Sequence, residues 1–213
     1  MARNIEIKAR IESVEAMSTK VAALADHGPI ELLQDATFFT CARGRLKLRA
    51  LYAAEGQLIF YQRSNHIGPK ESFFLSAPTS SPDTVREALS LAYGQAGRVR
   101  KHRTLYRVGR TRVHLDRVEE LGHFLELEVV LSEGEPSASG VEEAHKFMAA
   151  LGIAPTQLIE GAYVDLLAQK HAEHRRAGAA NSLRSCVAPA IGGRLHADVR
   201  PVFEPEGRRM PPR

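Results

Sequence analysis

Polar and apolar residues alternate without a break over residues 4–11. Ile5, Ile7, Ala9 and Ile11 take one side, and Asn4, Glu6, Lys8 and Arg10 take the other. A period of two predicts a strand with one greasy and one polar face. The same pattern recurs in Arg45-Leu46-Lys47-Leu48-Arg49. It returns over residues 124–131, where Leu125, Leu127, Val129 and Leu131 oppose Phe124, Glu126 and Glu128. Less regular extended stretches cover residues 30–40, 57–63, 71–75, 98–108 and 111–118, with Gly56 and Gly109-Arg110 as turn signals.

Helical periods fill the remainder. Ser13 is placed to cap a helix over residues 14–25 that ends before His27-Gly28-Pro29. Ser81-Pro82-Asp83 opens a second helix reaching about Gly94, with proline in the first turn where it is tolerated. Residues 141–151 and 162–171 predict two more. About eight strands and four helices result, many strands being consecutive and hairpin-linked. A parallel sheet needs a crossover between every strand pair, and those are missing. The expected fold is therefore α+β: an antiparallel barrel or strongly curled sheet with flanking helices. Residues 1–170 are read as the domain, and residues 171–213, with five prolines and no sustained period, as a basic, flexible tail.

Composition excludes more than it identifies. The 213 residues are 44% hydrophobic and 25% charged, as in an ordinary globular protein. The longest uncharged run, residues 147–159, is too short to cross a bilayer as a helix. The N-terminus is charged from Arg3 and lacks the apolar core of a signal peptide, and Cys41 and Cys186 form no CxxC. A cytoplasmic location with no membrane partner is expected.

The net charge of +4 misleads until it is divided. The tail carries eight Lys/Arg against four Asp/Glu, so residues 1–170 are neutral. Inside that neutral body, residues 43–112 hold fourteen basic against four acidic residues, and residues 113–170 hold three against eleven. The sorting reaches single strands. Arg45, Lys47 and Arg49 share one face at ~6.6–6.8 Å intervals, Lys101 and Arg103 repeat the theme, and Arg63 adds to it. Glu126 and Glu128 place like charges together, with Asp116 on the preceding strand.

Like charges this close repel unless opposite charge lies among them. One solution leaves them on solvated outer faces, cancelling across strands as pairs worth ~0–1 kcal/mol each. The other turns them into a barrel lumen, where unpaired ions carry several kcal/mol of desolvation. The second makes sense if the cations hold a multiply charged anion and the carboxylates hold its divalent cations. Arg and Lys suit phosphate oxygens, and carboxylates suit Mg²⁺. Taken by itself, the pattern slightly favours the outer faces.

A resemblance tips this balance. Glu6-Ile7-Lys8, Arg45-Leu46-Lys47-Leu48-Arg49, Lys101-His102-Arg103 with Tyr106, His114-Leu115-Asp116-Arg117-Val118, residues 121–128 and residues 158–167 together resemble the CYTH superfamily. That superfamily comprises class IV adenylyl cyclases, thiamine triphosphatases and related triphosphate tunnel metalloenzymes. The resemblance implies an α+β fold, an eight-stranded antiparallel β-barrel forming a tunnel with flanking helices, and a metal-dependent enzyme that acts on a triphosphate in its charged interior. The substrate would be ATP, inorganic triphosphate or thiamine triphosphate, and the cofactor Mg²⁺ or Mn²⁺. Lys8, Lys47, Arg49, Arg63, Lys101 and Arg103 would then grip phosphate oxygens, with Arg45 assisting. Glu6, Glu126 and Glu128 would ligate metal. Asp116 would serve metal or nucleophile placement, which makes it, with Lys8, the catalytic pair.

Asn4 departs from the family's Glu-x-Glu-x-Lys opening: it keeps an oxygen ligand but loses a charge. Two alternatives stay open. One is a non-catalytic receptor for polyphosphate or nucleotide. The other is a nucleic-acid-binding protein, which the absence of aromatics between the basic residues disfavours. Homodimerisation is compatible with either. His102 and His114 are read as structural or solvated, Tyr106 and Tyr163 as ordinary packing, and His171 with His174 as a surface pair.

Overall fold

The computed structural model describes residues 2–52, 54–65 and 67–185. In chain order the elements are β1 (Ala2–Arg10), α1 (Val14–Ala22), β2 (His27–Phe39), β3 (Arg45–Tyr52), β4 (Glu55–Arg63), β5 (Lys70–Thr79), α2 (Pro82–Tyr93), β6 (Gln95–Val108), β7 (Thr111–Val118), β8 (Gly122–Leu131), α3 (Ser137–Leu151) and α4 (Tyr163–Ser185). The strands close into a barrel in the order β1-β5-β4-β3-β2-β6-β7-β8, and β8 returns to β1. Neighbours are antiparallel throughout. The expected α+β fold, an eight-stranded antiparallel barrel with flanking helices, is the observed one.

The faces are arranged opposite to an ordinary water-facing sheet. Ile5, Ile7 and Ala9 of β1, Val113 and Leu115 of β7, and Leu125, Leu127 and Val129 of β8 point outward. They are covered by Val14, Met17 and Val21 of α1 and by Ala144, Met148 and Leu151 of α3. On these three strands the alternation that reads as greasy-in and polar-out for a sheet over water is therefore inverted, and Asn4, Glu6, Lys8, Arg112, His114, Glu126 and Glu128 turn to the lumen. On β2 and β6 charged residues also face outward, as in the exposed pairs Arg98–Asp35 and His102–Glu31. Helix α1 is held at its start by Ser13, whose hydroxyl oxygen accepts from the Ala16 amide at 3.2 Å.

A second apolar cluster plugs one end of the lumen. Phe38, Ile59, Tyr61, Val99 and Phe124 point inward there and meet Ala162, Tyr163, Val164 and Leu167 at the start of α4. The approach is close at Gly97, where a Cβ would lie 2.5 Å from Val164 Cγ2. Just before α4, the Ile159 amide donates to the Lys8 carbonyl at 3.0 Å, tying the segment to β1.

Several boundaries run longer than periodicity implies. Strand β5 continues past Leu75 to Thr79 although it contains Pro78. Its far half pairs only with β4, so the missing N–H of proline breaks no second ladder. Helix α4 begins at Tyr163 and extends to Ser185 rather than stopping at His171. Beyond His171 it meets Ala172 and Ala177, good helix formers, and every tail proline lies beyond residue 188. Residues through His174 form one compact unit, and a second runs from Arg175 onward. The expectation of a flexible tail falls, past Ser185, outside the described residues. No helix among the described residues is long and apolar enough to cross a membrane.

The outward layer of β1 is a core, so Ile7→Ala should lower the unfolding free energy by about 2–5 kcal/mol. Urea denaturation reads this directly. A loss under about 0.5 kcal/mol would mean that the barrel's exterior is not packed as described.

Candidate active site

The lumen encloses a cavity of about 570 Å³. Of the eleven residues singled out from the sequence, nine line it: Glu6, Lys8, Lys47, Arg49, Arg63, Lys101, Arg103, Glu126 and Glu128. Strand register explains how they meet. Glu6 pairs with Glu128 and Lys8 with Glu126 across β1 and β8. Arg103 faces Asp116 across β6 and β7, and His114 faces Glu126 across β7 and β8.

The remaining two sit apart from the cavity wall. Arg45 donates from Nη2 to Asp165 Oδ2 at 2.7 Å, and that carboxylate also accepts from the Ala162 amide at 2.7 Å. It therefore anchors the turn into α4. Asp116 is wholly buried, at 0% exposure. It accepts from Arg103 Nε at 2.6 Å and Nη2 at 2.7 Å, from Lys101 Nζ at 2.8 Å and from the Tyr163 hydroxyl at 2.9 Å. With both oxygens so engaged, Asp116 orients cations.

The charges fall on two walls. On one, Glu126 accepts from Lys8 and, at 3.2 Å, from Arg103 Nη2. Beside it, Glu128 accepts from Arg112 Nε at 2.8 Å. Glu6 takes Arg63 and, at 3.3 Å, Lys8. The other wall is β3, four places from β8 around the barrel and hence across the lumen. Among the described residues, neither Lys47 nor Arg49 on that strand pairs with a carboxylate. Lys47 lies over the Tyr61 ring at 5.0 Å. Arg49 reaches Gln57 while its Nε has no partner.

The electrostatics follow from this separation. Lys47 is reachable by solvent along the lumen yet enclosed by protein on all sides. Burial, reinforced by Arg49 and Lys101, pushes its ammonium down to about 7. Burial and the Arg103 charge bring Lys101 to about 8, although Asp116 pulls the other way. Burial would raise Glu126, but Lys8 and Arg103 outweigh it and hold the carboxyl well below its ordinary range. Burial and the Arg103 charge lower His114, which favours its neutral imidazole.

The donors present suit a divalent cation. His114, Glu126 and Glu128 each offer one ligand atom, and the three atoms lie within 4.8 Å of one another. Asn4, lining the same cavity, has a buried Oδ1 with no hydrogen-bond partner. Oxygen donors with one imidazole are a set that Mg²⁺ or Mn²⁺ accepts, Mn²⁺ more readily on account of the nitrogen.

Arg112, His114 and Tyr163 are lumen residues outside the set that the sequence points to. Arg112 and His114 stand four and two positions before Asp116, on the same face of β7, so strand parity alone is enough to find them. Tyr163 cannot be found that way. Its hydroxyl reaches Asp116, and its ring lies 4.4 Å from Lys8 Nζ and 5.1 Å from Lys101 Nζ, but only because α4 enters the barrel end. The other residues read as structural do stay outside: His102 meets Glu31 at 2.9 Å, and Tyr106 meets Ser18 at 2.7 Å.

A family model of the CYTH domain matches residues 2–163. In three dimensions the chain is similar to the PH1012 protein of Pyrococcus horikoshii OT3, with 23% identity and a TM-score of 0.68, over 76% of this chain and 98% of that one. It is also similar to a candidate adenylate cyclase of Vibrio parahaemolyticus, with 17% identity and a TM-score of 0.62, over 78% and 97%. A third similar structure is a candidate adenylyl cyclase of Hippeastrum with a dominant triphosphatase activity, at 18% identity and a TM-score of 0.54, over 76% and 91%. At these identities the likeness is one of fold. No curated protein matches the sequence.

Two outcomes are expected from this geometry. Asp116→Asn leaves Arg103 and Lys101 buried beside a neutral group, and should destabilise the protein by about 3–5 kcal/mol in thermal or urea unfolding. A neutral result would show that Asp116 does not compensate them. The second concerns pH. Above about 7 and then 8, Lys47 and Lys101 lose their protons. Metal-free affinity for inorganic triphosphate should therefore fall between pH 7 and 9. Binding near pH 8 should take up protons, since the anion restores the charged forms. Calorimetry in buffers of different ionisation heat measures both, and a flat profile without proton uptake would remove these lysines from the anion site.

Proposed function

The chain belongs to the CYTH domain family, and from that premise we propose that it is a divalent-metal-dependent enzyme acting on a small-molecule triphosphate held in its barrel lumen. The observation that carries this reading is the pair Lys47 and Arg49, enclosed cations without carboxylate partners among the described residues, facing Glu126 and Glu128 across the cavity. The carboxylate wall is compensated by Lys8, Arg63, Arg103 and Arg112, whereas the β3 wall is not. A multiply charged anion would give Lys47 and Arg49 their partner, and a divalent cation would offset its charge beside Glu126 and Glu128.

The residues divide the work. Lys47 and Arg49 hold phosphate oxygens from the β3 side, Arg as a forked donor and Lys as a point charge. Arg63, Lys101 and Arg103 approach from their own strands. Arg103 is aimed by its double bond to Asp116, which makes Asp116 a positioning residue. Lys8, between Glu6 and Glu126, keeps the two carboxylates apart and can reach a substrate oxygen along the same wall. Glu126 and Glu128 are the metal ligands, with Glu6 adjoining. A bound Mg²⁺ or Mn²⁺ would supply Lewis acidity at the phosphoryl oxygens. What the chain itself contributes is charge already in place before the reaction, so little reorganisation is needed when charge moves to the leaving group. ATP, inorganic triphosphate and thiamine triphosphate all carry the required chain of phosphates. The same walls serve attack by water, giving hydrolysis, and attack by a ribose 3′-hydroxyl, giving cyclic AMP and pyrophosphate. The work lies within residues 1–170, and a cytoplasmic location is part of the same proposal.

Incubation with Mg²⁺ or Mn²⁺ and each triphosphate, followed by chromatography of the products, should reveal metal-dependent turnover. Glu126→Gln should reduce it on the order of 10²–10³-fold, the size of losing one preorganised charge group. Inorganic triphosphate should raise the melting temperature, and Arg49→Ala should shrink that rise. Ligand stabilisation without any product would identify a non-catalytic receptor, and turnover indifferent to chelation would overturn the metal-dependent reading.

A further inference from the structure

His114 and the two glutamates form a tighter constellation than the reading above requires. His114 Nδ1 lies 3.4 Å from Glu126 Oε1 and 3.9 Å from Glu128 Oε1. The first separation is long for a hydrogen bond to a carboxylate. The first matches the spacing of neighbouring ligand atoms around one ion, ~3–3.5 Å when each sits ~2.1 Å from it, and the second is somewhat wider. The His114 side chain is 5% exposed, and among the described residues that long contact to Glu126 is its only hydrogen-bonding one. An imidazole buried against two carboxylate oxygens, none of them well bonded to another, lacks a shared partner.

The surroundings point the same way. The other oxygens of these glutamates are committed, Glu126 Oε2 to Lys8 and Glu128 Oε2 to Arg112, while Glu126 Oε1 takes a longer bond from Arg103 Nη2 at 3.2 Å. Those bonds turn each Oε1 toward the imidazole. Asn4 adds an independent sign. It is 3% exposed, lines the same cavity, and its Oδ1 is without a partner. It stands two residues before Glu6, the cross-strand neighbour of Glu128, on the same face of β1. A neutral oxygen there can serve an ion directly or through a bound water.

We propose that His114 is a metal ligand together with Glu126 and Glu128, and that its imidazole makes the lumen site select Mn²⁺ over Mg²⁺. This deepens the metal-dependent reading above and rests on it. Mg²⁺ binds oxygen and gains little from a nitrogen donor, whereas imidazole strengthens binding of the first-row transition ions. A third carboxylate would have added charge without preference. The imidazole leaves the site less negative and more selective, consistent with a lumen already crowded by Lys8, Arg103 and Arg112.

The test is made on the full-length protein with Mn²⁺ alone, so that it does not depend on turnover. Pulsed electron paramagnetic resonance of the bound ion should show coupling to a directly ligated ¹⁴N. Protein grown with ¹⁵N-histidine should convert that signal to the ¹⁵N pattern, which requires no substitution and no refolding. His114→Phe should abolish the coupling, and calorimetry should show the Mn²⁺-over-Mg²⁺ affinity ratio falling about tenfold or more, since losing even an outer partner of a ligand costs 10–100-fold. Mn²⁺ bound without nitrogen coupling would overturn the role of His114 and leave the metal-dependent reading standing. Failure to bind either ion, with or without inorganic triphosphate, would overturn both.

Discussion

Everything inside this barrel depends on how buried charge is compensated. Asp116, with no solvent exposure, anchors the arrangement through four donors from β6 and α4. An isolated carboxylate at that depth would carry a desolvation penalty of several kcal/mol, and so would Arg103 and Lys101. Together they satisfy each other, and the satisfied cluster fixes where the next charges can lie. Arg103 continues to Glu126, Glu126 to Lys8, and Lys8 to Glu6 and the ring of Tyr163. One wall of the lumen is thereby neutralised by the protein itself.

The layers outside make that interior possible. A barrel that buries its polar faces cannot use its lumen as a hydrophobic core, so the apolar work is moved outward. The packing of α1 and α3 on β1, β7 and β8 removes the alternate side chains from water, while the start of α4 seals one end with a small apolar plug. This division explains why Tyr163 belongs to both systems. Its ring packs against Phe124 at 4.9 Å between centroids, and its hydroxyl enters the charge network.

Strand alternation makes the eight strands, and much of the site, legible in the order of the residues. Period two shows which residues share a face, so Lys47 groups with Arg49, and Glu126 with Glu128, from spacing alone. It cannot show which face is inside. That depends on the outer helices covering Ile5, Ile7 and Leu127, a long-range fact that only the family resemblance or the folded barrel supplies. The same limit accounts for Arg45. Its parity matches that of Lys47, but the turn into α4 lies over its end of the strand and takes its guanidinium for Asp165. Asp116 is found by position but not by role, because only the assembled barrel shows its oxygens fully engaged. His114 is visible by parity yet reads as a lone histidine along the chain; its neighbours come from β8.

The wall formed by Lys47 and Arg49 is the part of the interior that the fold does not neutralise. Burial holds Lys47 near 7 and Arg49 near 10, well below their ordinary values. Depressed values mean that keeping these groups charged works against the folded state. Such a strain persists where something outside the chain relieves it, and an anion in the lumen does so by giving both cations a partner. The same anion would bring negative charge toward Glu126 and Glu128, and a divalent cation between them would offset it. On the proposed reading, charge balance across about 570 Å³ would link the two ligands, each bound better when the other is present. On that reading, the lumen is in this sense half of a neutral assembly, and a metal-bound polyphosphate would be the other half.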